Sequence, residues 1–188
     1  MSFLDRIAYK DGAKDCSAVI HPTFHAGTFE VVFNAKGCRL EIAENCNFNS
    51  IRLHFLSENT QVKIGAGTVC NSSFWANLSG SGRSITIGKH CLFASVRART
   101  SDSHHIIDDL TGAILNPAGD IMISDRVWIA EDVLLLKGAV IGAESVIGAR
   151  SLVNTDIPPH SLAAGTPAKV IRSNISWRYS AVSRNPPV

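Results

Sequence analysis

Apolar residues in the second half of the chain recur every six positions. Six consecutive units, led by Ile123, Ile129, Leu135, Ile141, Ile147 and Val153, open on an aliphatic residue and mostly carry a small or β-branched residue four places later. No helical period of 3.6 residues accounts for that spacing. A six-residue period that wraps three units per turn marks a parallel β-helix, in which each flat face is one short strand and each corner is a turn. Two complete turns are therefore predicted between Ile123 and Pro158.

The same unit recurs upstream in looser form, at Leu40-Glu-Ile-Ala, Val62-Lys-Ile-Gly, Ile85-Thr-Ile-Gly and Ile121-Met-Ile-Ser. The steps between these copies are 22, 23 and 36 residues, so the first two exceed a turn of three hexads slightly and the third leaves room for a long excursion. Counting hexads on from Ile87 gives leads at Phe93 and Arg99, and the pattern stops where the next would fall, at His105. Residues 105–120, with Gly112, Asn116, Pro117 and several aspartates, read as a loop that leaves the prism before Ile121 re-enters it. A loop of this length in a compact repeat usually has a function. Gly65 and Gly88 each follow an inward aliphatic residue at a turn, where glycine's freedom of backbone angle is useful. The whole reads as one domain of 188 residues: an N-terminal segment 1–35 in which Thr28 to Phe33 suits a strand, a β-helix over 36–171, and a tail 172–188. Within that tail Ser173 to Ser183 is expected to form a short helix or a packing arm.

Composition removes several classes of function. A net charge of +2, with 18% charged residues and the positive ones scattered, argues against nucleic acid as a partner. No stretch approaches the roughly 18 apolar residues of a membrane span, and the start lacks a basic region followed by an apolar one, so a cytoplasmic protein is expected. Cys16, Cys38, Cys46, Cys70 and Cys91 form no CxxC pair and read as reduced thiols packed in the core.

Three places could carry chemistry. Ser101-Asp102-Ser103-His104 lies at the root of the excursion, and histidine is the side chain best suited to accept a proton near neutral pH. Asp102 would project on the same side as His104 in an extended segment and could orient its ring; the plainer alternative is a solvated His104-His105 pair. Trp128 ends its hexad, in a row continued by Leu134, Val140, Val146, Leu152 and Pro158. An outward apolar row of this kind predicts a subunit interface, where Trp128 either packs or offers its indole N–H to a substrate oxygen. Lys169 and Arg172, just past the last repeat, are either a phosphate site or a basic cap.

Taken together, the Ile-Gly-x-x-x-Val hexads, the Ser-Asp-Ser-His loop, Val127-Trp128-Ile129-Ala130 and the closing Ala164-Gly-Thr-Pro-Ala-Lys-Val-Ile-Arg172 resemble the hexapeptide-repeat acetyltransferases over residues 85–172. The likeness is strongest to the bacterial sugar O-acetyltransferases, including those that modify capsular polysaccharides, whose catalytic histidine and active-site tryptophan share the 24-residue spacing of His104 and Trp128. The resemblance implies an all-β, left-handed parallel β-helix with one long excursion loop and a short C-terminal extension. It further implies a homotrimer with active sites between subunits, acetyl-CoA as co-substrate, and a sugar or polysaccharide acceptor. By position, Ala130 and Ala149 would give backbone contacts to CoA, and Lys169 and Arg172 would meet its phosphate. Asn154, where several relatives begin a Thr-Lys pair, is placed with them in CoA binding.

The implied reaction is direct acetyl transfer to a hydroxyl with His104 as base, the oxyanion being held by a backbone N–H or the Trp128 indole. No acyl-enzyme is expected. N-acetylation of an amino-sugar precursor is the alternative among transferases. A zinc carbonic anhydrase on the same repeat would need three ligating histidines; the seven present show no such triplet, so no metal is expected. A purely structural solenoid would need no excursion with histidine at its root.

Overall fold

The computed structural model describes residues 2–179. After one 3-10 turn at Leu4–Arg6 the chain is built of strands. The first nine are β1 (Ile7–Tyr9), β2 (Ser17–Ile20), β3 (His25–Phe33), β4 (Arg39–Ile42), β5 (Asn47–Phe55), β6 (Gln61–Ile64), β7 (Val69–Leu78), β8 (Ser84–Ile87) and β9 (Leu92–Arg99). After the excursion come β10 (Ile121–Ile123), β11 (Trp128–Ile129), β12 (Val133–Leu135), β13 (Val140–Ile141), β14 (Val146–Ile147), β15 (Leu152–Val153), β16 (Asp156–Ile157), β17 (Ser161–Gly165) and β18 (Ala168–Ser173). They wind as a left-handed parallel β-helix closed by the antiparallel β17–β18 hairpin. Among the described residues no helix is long and apolar enough to cross a membrane.

The helix changes cross-section partway along. One face runs unbroken through β2, β4, β6, β8, β10, β13 and β16. Opposite it, the long strands β3, β5, β7 and β9 stack in parallel, and β9 then pairs with two short strands: Leu92 and Phe93 lie beside β11, and Val96 to Ala98 beside β12. Each long strand of the early coils thus becomes two strands with a corner between them, and wide coils give way to a three-faced prism.

The register agrees with the upstream copies, since Leu40, Val62, Ile85 and Ile121 stack in one column. Ala18 heads that column above Leu40, so the coils begin inside the first 35 residues. An alanine in the lead place and an outward Val19, 66% exposed, blur the alternation that would have revealed the strand. In the tight coils the leads Ile123, Ile129, Leu135, Ile141, Ile147 and Val153 are all buried. Arg99 is not a lead: Ala98 stacks on Leu135, and Arg99 is exposed one residue later. The expected outward row is also divided. Successive hexads occupy successive faces, so Trp128 lines up with Leu92 and Val146, Leu134 with Arg97 and Leu152, and Val140 with Met122.

Phenylalanine fills the wide coils. Phe24, Phe48, Phe74 and Phe93 form a chain of rings with centroids 6.2, 6.4 and 5.7 Å apart, Phe74 reaching in from the column of Ile51 and Val96, and Phe33 stacks on Phe55 at 4.6 Å. Small polar residues knit the corners. The Ser145 hydroxyl donates to the Pro158 carbonyl at 2.9 Å and accepts from the Ser161 N–H at 3.1 Å, and Ser151 bonds Gly148 and Gly165 in the same manner. Cys38, Cys46, Cys70 and Cys91 are buried, and burial pushes the Cys70 and Cys91 thiols up to about 11, which suits packing rather than reactivity.

The two turn glycines serve a different purpose from backbone freedom. The left-handed angles fall two residues later, at Gly67 (φ 69°) and His90 (φ 54°), in a corner column that includes Asn45, Arg126, Glu144 and His160. A Cβ on Gly65 would lie 2.6 Å from the Gly88 carbonyl, and one on Gly88 2.5 Å from the Asp125 nitrogen. Coil-on-coil contact requires the absence of a side chain there.

Candidate functional site

The prism has three corners, at Ser124 to Val127, at Ala130 to Asp132 and at Leu136 to Ala139, and the predicted site residues are distributed among them. The excursion starts at the third. Thr100 anchors its departure, its hydroxyl donating to the Ser79 carbonyl at 2.8 Å and accepting from the Ser79 N–H at 2.9 Å. The Asp102 carboxylate then accepts from the Lys137 ammonium and from Asn116 Nδ2 at 2.8 Å. Asn116 is a clamp: its Nδ2 also donates to the His104 carbonyl at 2.9 Å, and its Oδ1 accepts from the Ile106 N–H at 2.6 Å. The returning limb is thereby fastened to the root, and between them the loop forms a small hairpin with Ile107 bridging Ile114. Lys137, followed by Asn116, holds the Asp102 carboxyl below the usual carboxylate range.

Asp102 is therefore engaged away from the imidazole that it was expected to orient. Ser103 between them takes a left-handed backbone (φ 65°), which turns the chain and removes the extended geometry on which that expectation rested. His104 is exposed, and its ring has no hydrogen-bond partner among the described residues. Asn116 and Lys137 were missed as site residues. Lys137 sits in an ordinary hexad with nothing to distinguish it, and Asn116 reads as one loop breaker among several.

Trp128 stands beyond the first corner, 38% exposed, on a different face from the His104 root. Its backbone N–H donates to the Ser145 carbonyl at 2.9 Å and that of Ala130 to the Ile147 carbonyl at 3.0 Å, so both are committed to coil stacking. The Trp128 indole N–H has no protein acceptor among the described residues. Its ring lies 6.1 Å from that of Trp177, which is buried by the folded-back tail, donates its indole N–H to the Arg126 carbonyl at 2.6 Å and lies 5.8 Å from the Arg126 guanidinium. The tail is thus a packing arm without helix as far as Tyr179, and Ser180 to Ser183 lie outside the described residues.

The residues assigned to CoA fall into two groups. Ala130 and Ala149 follow one another along the second corner, where the Arg150 N–H bonds the Glu131 carbonyl at 2.8 Å, and Lys169, opposite Ala164 in the closing hairpin, extends that edge. Arg172 pairs with Leu162 toward the other end of the hairpin, and Asn154 occupies the third corner, where the column steps from Ile141 to Ile157. One chain does not gather all five.

Coils of this shape are shared with solved acetyltransferase structures. No protein-family model matches the chain. It is similar to the polysialic acid O-acetyltransferase of Escherichia coli O1:K1 / APEC, 38% identical over 94 residues, which is 50% of this chain and 31% of that protein. It is also similar to a chloramphenicol acetyltransferase of Agrobacterium fabrum strain C58, 43% identical over 56 residues, 30% of this chain and 27% of that one. The matched stretch thus spans about a third of the curated relatives' length. Among solved structures, the polySia-specific acetyltransferase NeuO superposes with a TM-score of 0.78 at 26% identity, covering 96% of this chain and 93% of that one. The polysialic acid O-acetyltransferase OatWY shares the fold, with a TM-score of 0.67 at 20% identity over 95% and 94% of the two chains.

Proposed function

We propose that this protein is an acetyl-CoA-dependent O-acetyltransferase that acetylates a sugar hydroxyl, with a bacterial capsular or surface polysaccharide as the acceptor. The observation that carries the reading is His104, an exposed imidazole with no partner among the described residues, on a root fixed by Asn116, Lys137 and Thr100. The likeness to a polySia-specific acetyltransferase along nearly the whole chain supports the substrate class. In the reaction, the acceptor oxygen attacks the thioester carbonyl while His104 takes its proton. The tetrahedral intermediate expels the CoA thiolate, which recovers that proton from the imidazolium. The Trp128 indole N–H is the free donor for the oxyanion, since the N–H groups of Trp128 and Ala130 are occupied; such a contact typically lowers the barrier by about 3 to 4 kcal/mol.

His104 is rooted at the third corner and Trp128 lies on the β11 face of the same prism, so the reaction calls for two copies. A homotrimer that sets the third corner of one chain against the β11 face of the next brings them together, and it adds Asn154 to the edge lined by Ala130, Ala149 and Lys169. The His104→Ala substitution is expected to lower kcat by about 10²- to 10⁴-fold in a thiol-release assay, with an unchanged melting temperature. Near wild-type turnover by that variant would overturn the assignment.

A further inference from the structure

We infer that Trp177 is a positioning residue for the reaction: the folded-back tail holds the Trp128 indole in the orientation from which its N–H serves the oxyanion. This rests on the acetyltransferase reading and adds to it a residue outside the repeat. The tail runs back along the first corner. The Ile175 N–H donates to the His160 carbonyl at 3.0 Å, and the Trp177 indole N–H donates at 2.6 Å to the carbonyl of Arg126, two coils earlier in the same corner column. Arg126 responds through its side chain. Its guanidinium is held by the Glu144 carboxylate, lies 5.8 Å from the centre of the Trp177 ring and donates to the Trp177 carbonyl at 3.5 Å. Ring, indole N–H and carbonyl of Trp177 are thus all tied to the residue two positions before Trp128.

Trp128 needs such a support. It is the outward residue of a two-residue strand, with Leu92 and Val146 as its column neighbours, and it is 38% exposed. A large side chain so placed is not confined by its own strand to one staggered rotamer. Trp177, only 7% exposed, is the fixed member of the pair: the rings lie 6.1 Å apart, inclined at 48°, and the Tyr179 ring backs that of Trp177 at 5.8 Å. An oxyanion donor lowers the barrier most when it is aimed before the charge develops, and a misplacement of about 1 Å can cost about 10²-fold in rate. Trp177 is not itself the donor, because its N–H is committed to Arg126. Its influence passes through the packing of one ring on the other. A tail that served stability alone would leave the orientation of Trp128 to its own strand.

The test compares the wild type with Trp177→Ala, Trp177→Phe, Trp128→Phe and the Trp128→Phe/Trp177→Ala double variant. Each is measured in thiol release from acetyl-CoA, with water or oligosialic acid as the acceptor, and in fluorine NMR of 5-fluorotryptophan-labelled protein. Trp177→Ala is expected to lower kcat about tenfold, less than the roughly 10²- to 10³-fold that loss of an oxyanion donor costs, with KM for acetyl-CoA unchanged. Trp177→Phe should recover most of that loss, since it keeps a ring against Trp128. Arg126→Met, which loosens Trp177 without emptying its site, should act in the same direction to a smaller degree. In the Trp128→Phe background Trp177→Ala should change kcat less than about twofold, the mark of an effect that acts through Trp128. The Trp128 fluorine resonance should shift and broaden in Trp177→Ala and Arg126→Met while that of Trp75 stays in place. Equal losses of kcat in both backgrounds, or a Trp128 resonance unmoved by either substitution, would overturn the positioning role. Wild-type protein that neither binds acetyl-CoA nor releases thiol, with the Trp128 resonance still responding to Trp177→Ala, would instead sink the transferase reading and leave the pairing standing.

Discussion

The wide coils of residues 17–99 and the tight coils of residues 121–165 use one repeat to make two different bodies. In the wide coils an eight- to ten-residue strand covers what the tight coils divide between two short strands, and the interior holds stacked phenylalanines where the prism holds isoleucine, valine and leucine. The extra width is also extra outer surface. It carries the Arg52, Trp75, Asn77 and Arg99 face, whereas the tight coils present short apolar columns and sharp corners. On the proposed reading, cofactor recognition belongs to the regular half, with the excursion rooted where the two halves meet.

The wide coils depend most on the rings that fill them. Phe74→Ala empties a fully buried ring position between Phe48 and Phe93 and is expected to cost about 3 to 5 kcal/mol in denaturant unfolding. A cost below about 1 kcal/mol would mean that the wide coils can collapse to the prism's cross-section. The converse substitution, Ile141→Phe, places a wide-coil side chain in the tight prism and should cost about 1 to 3 kcal/mol through overpacking; a neutral result would show spare room there. The smallest effect belongs to the seam. Asp102→Asn removes an exposed ion pair with Lys137 worth at most about 1 kcal/mol, but limited proteolysis should then cut residues 105–120 faster at neutral pH. Because the folded carboxyl sits below its ordinary range, its contribution is fully present above that range and is lost as pH falls through the lowered value. The wild-type loop should therefore loosen only below about pH 4, and Asp102→Asn should weaken that dependence, leaving the part due to Asp108, whose carboxyl the Thr111 and Leu110 hydrogen bonds also hold low.

The prism was legible in the sequence because one inward residue in six is a strict requirement there and nearly every lead is a large aliphatic. The wide coils were legible only as spacings: Leu40, Val62 and Ile85 fix the column, but Ala18 is too small a lead to announce β2. Arg99 shows the limit of counting, since β9 reaches the prism one residue early and only its pairing with β12 reveals the slip. At the site, His104 and Trp128 stood out by chemistry and spacing. Asn116 and Lys137 did not, because each depends on which coil lies beside which.

On the proposed mechanism His104 and Trp128 meet between copies rather than within one. The direct measurement is acetyl transfer by assemblies reconstituted from equal amounts of His104→Ala and Trp128→Ala chains, each nearly inactive alone, with mixing verified by mass. Shared sites predict recovery of activity to roughly a quarter of wild type, the fraction of sites that draw an intact residue from each side. Mixed assemblies that form and remain as inactive as their parents would contradict it.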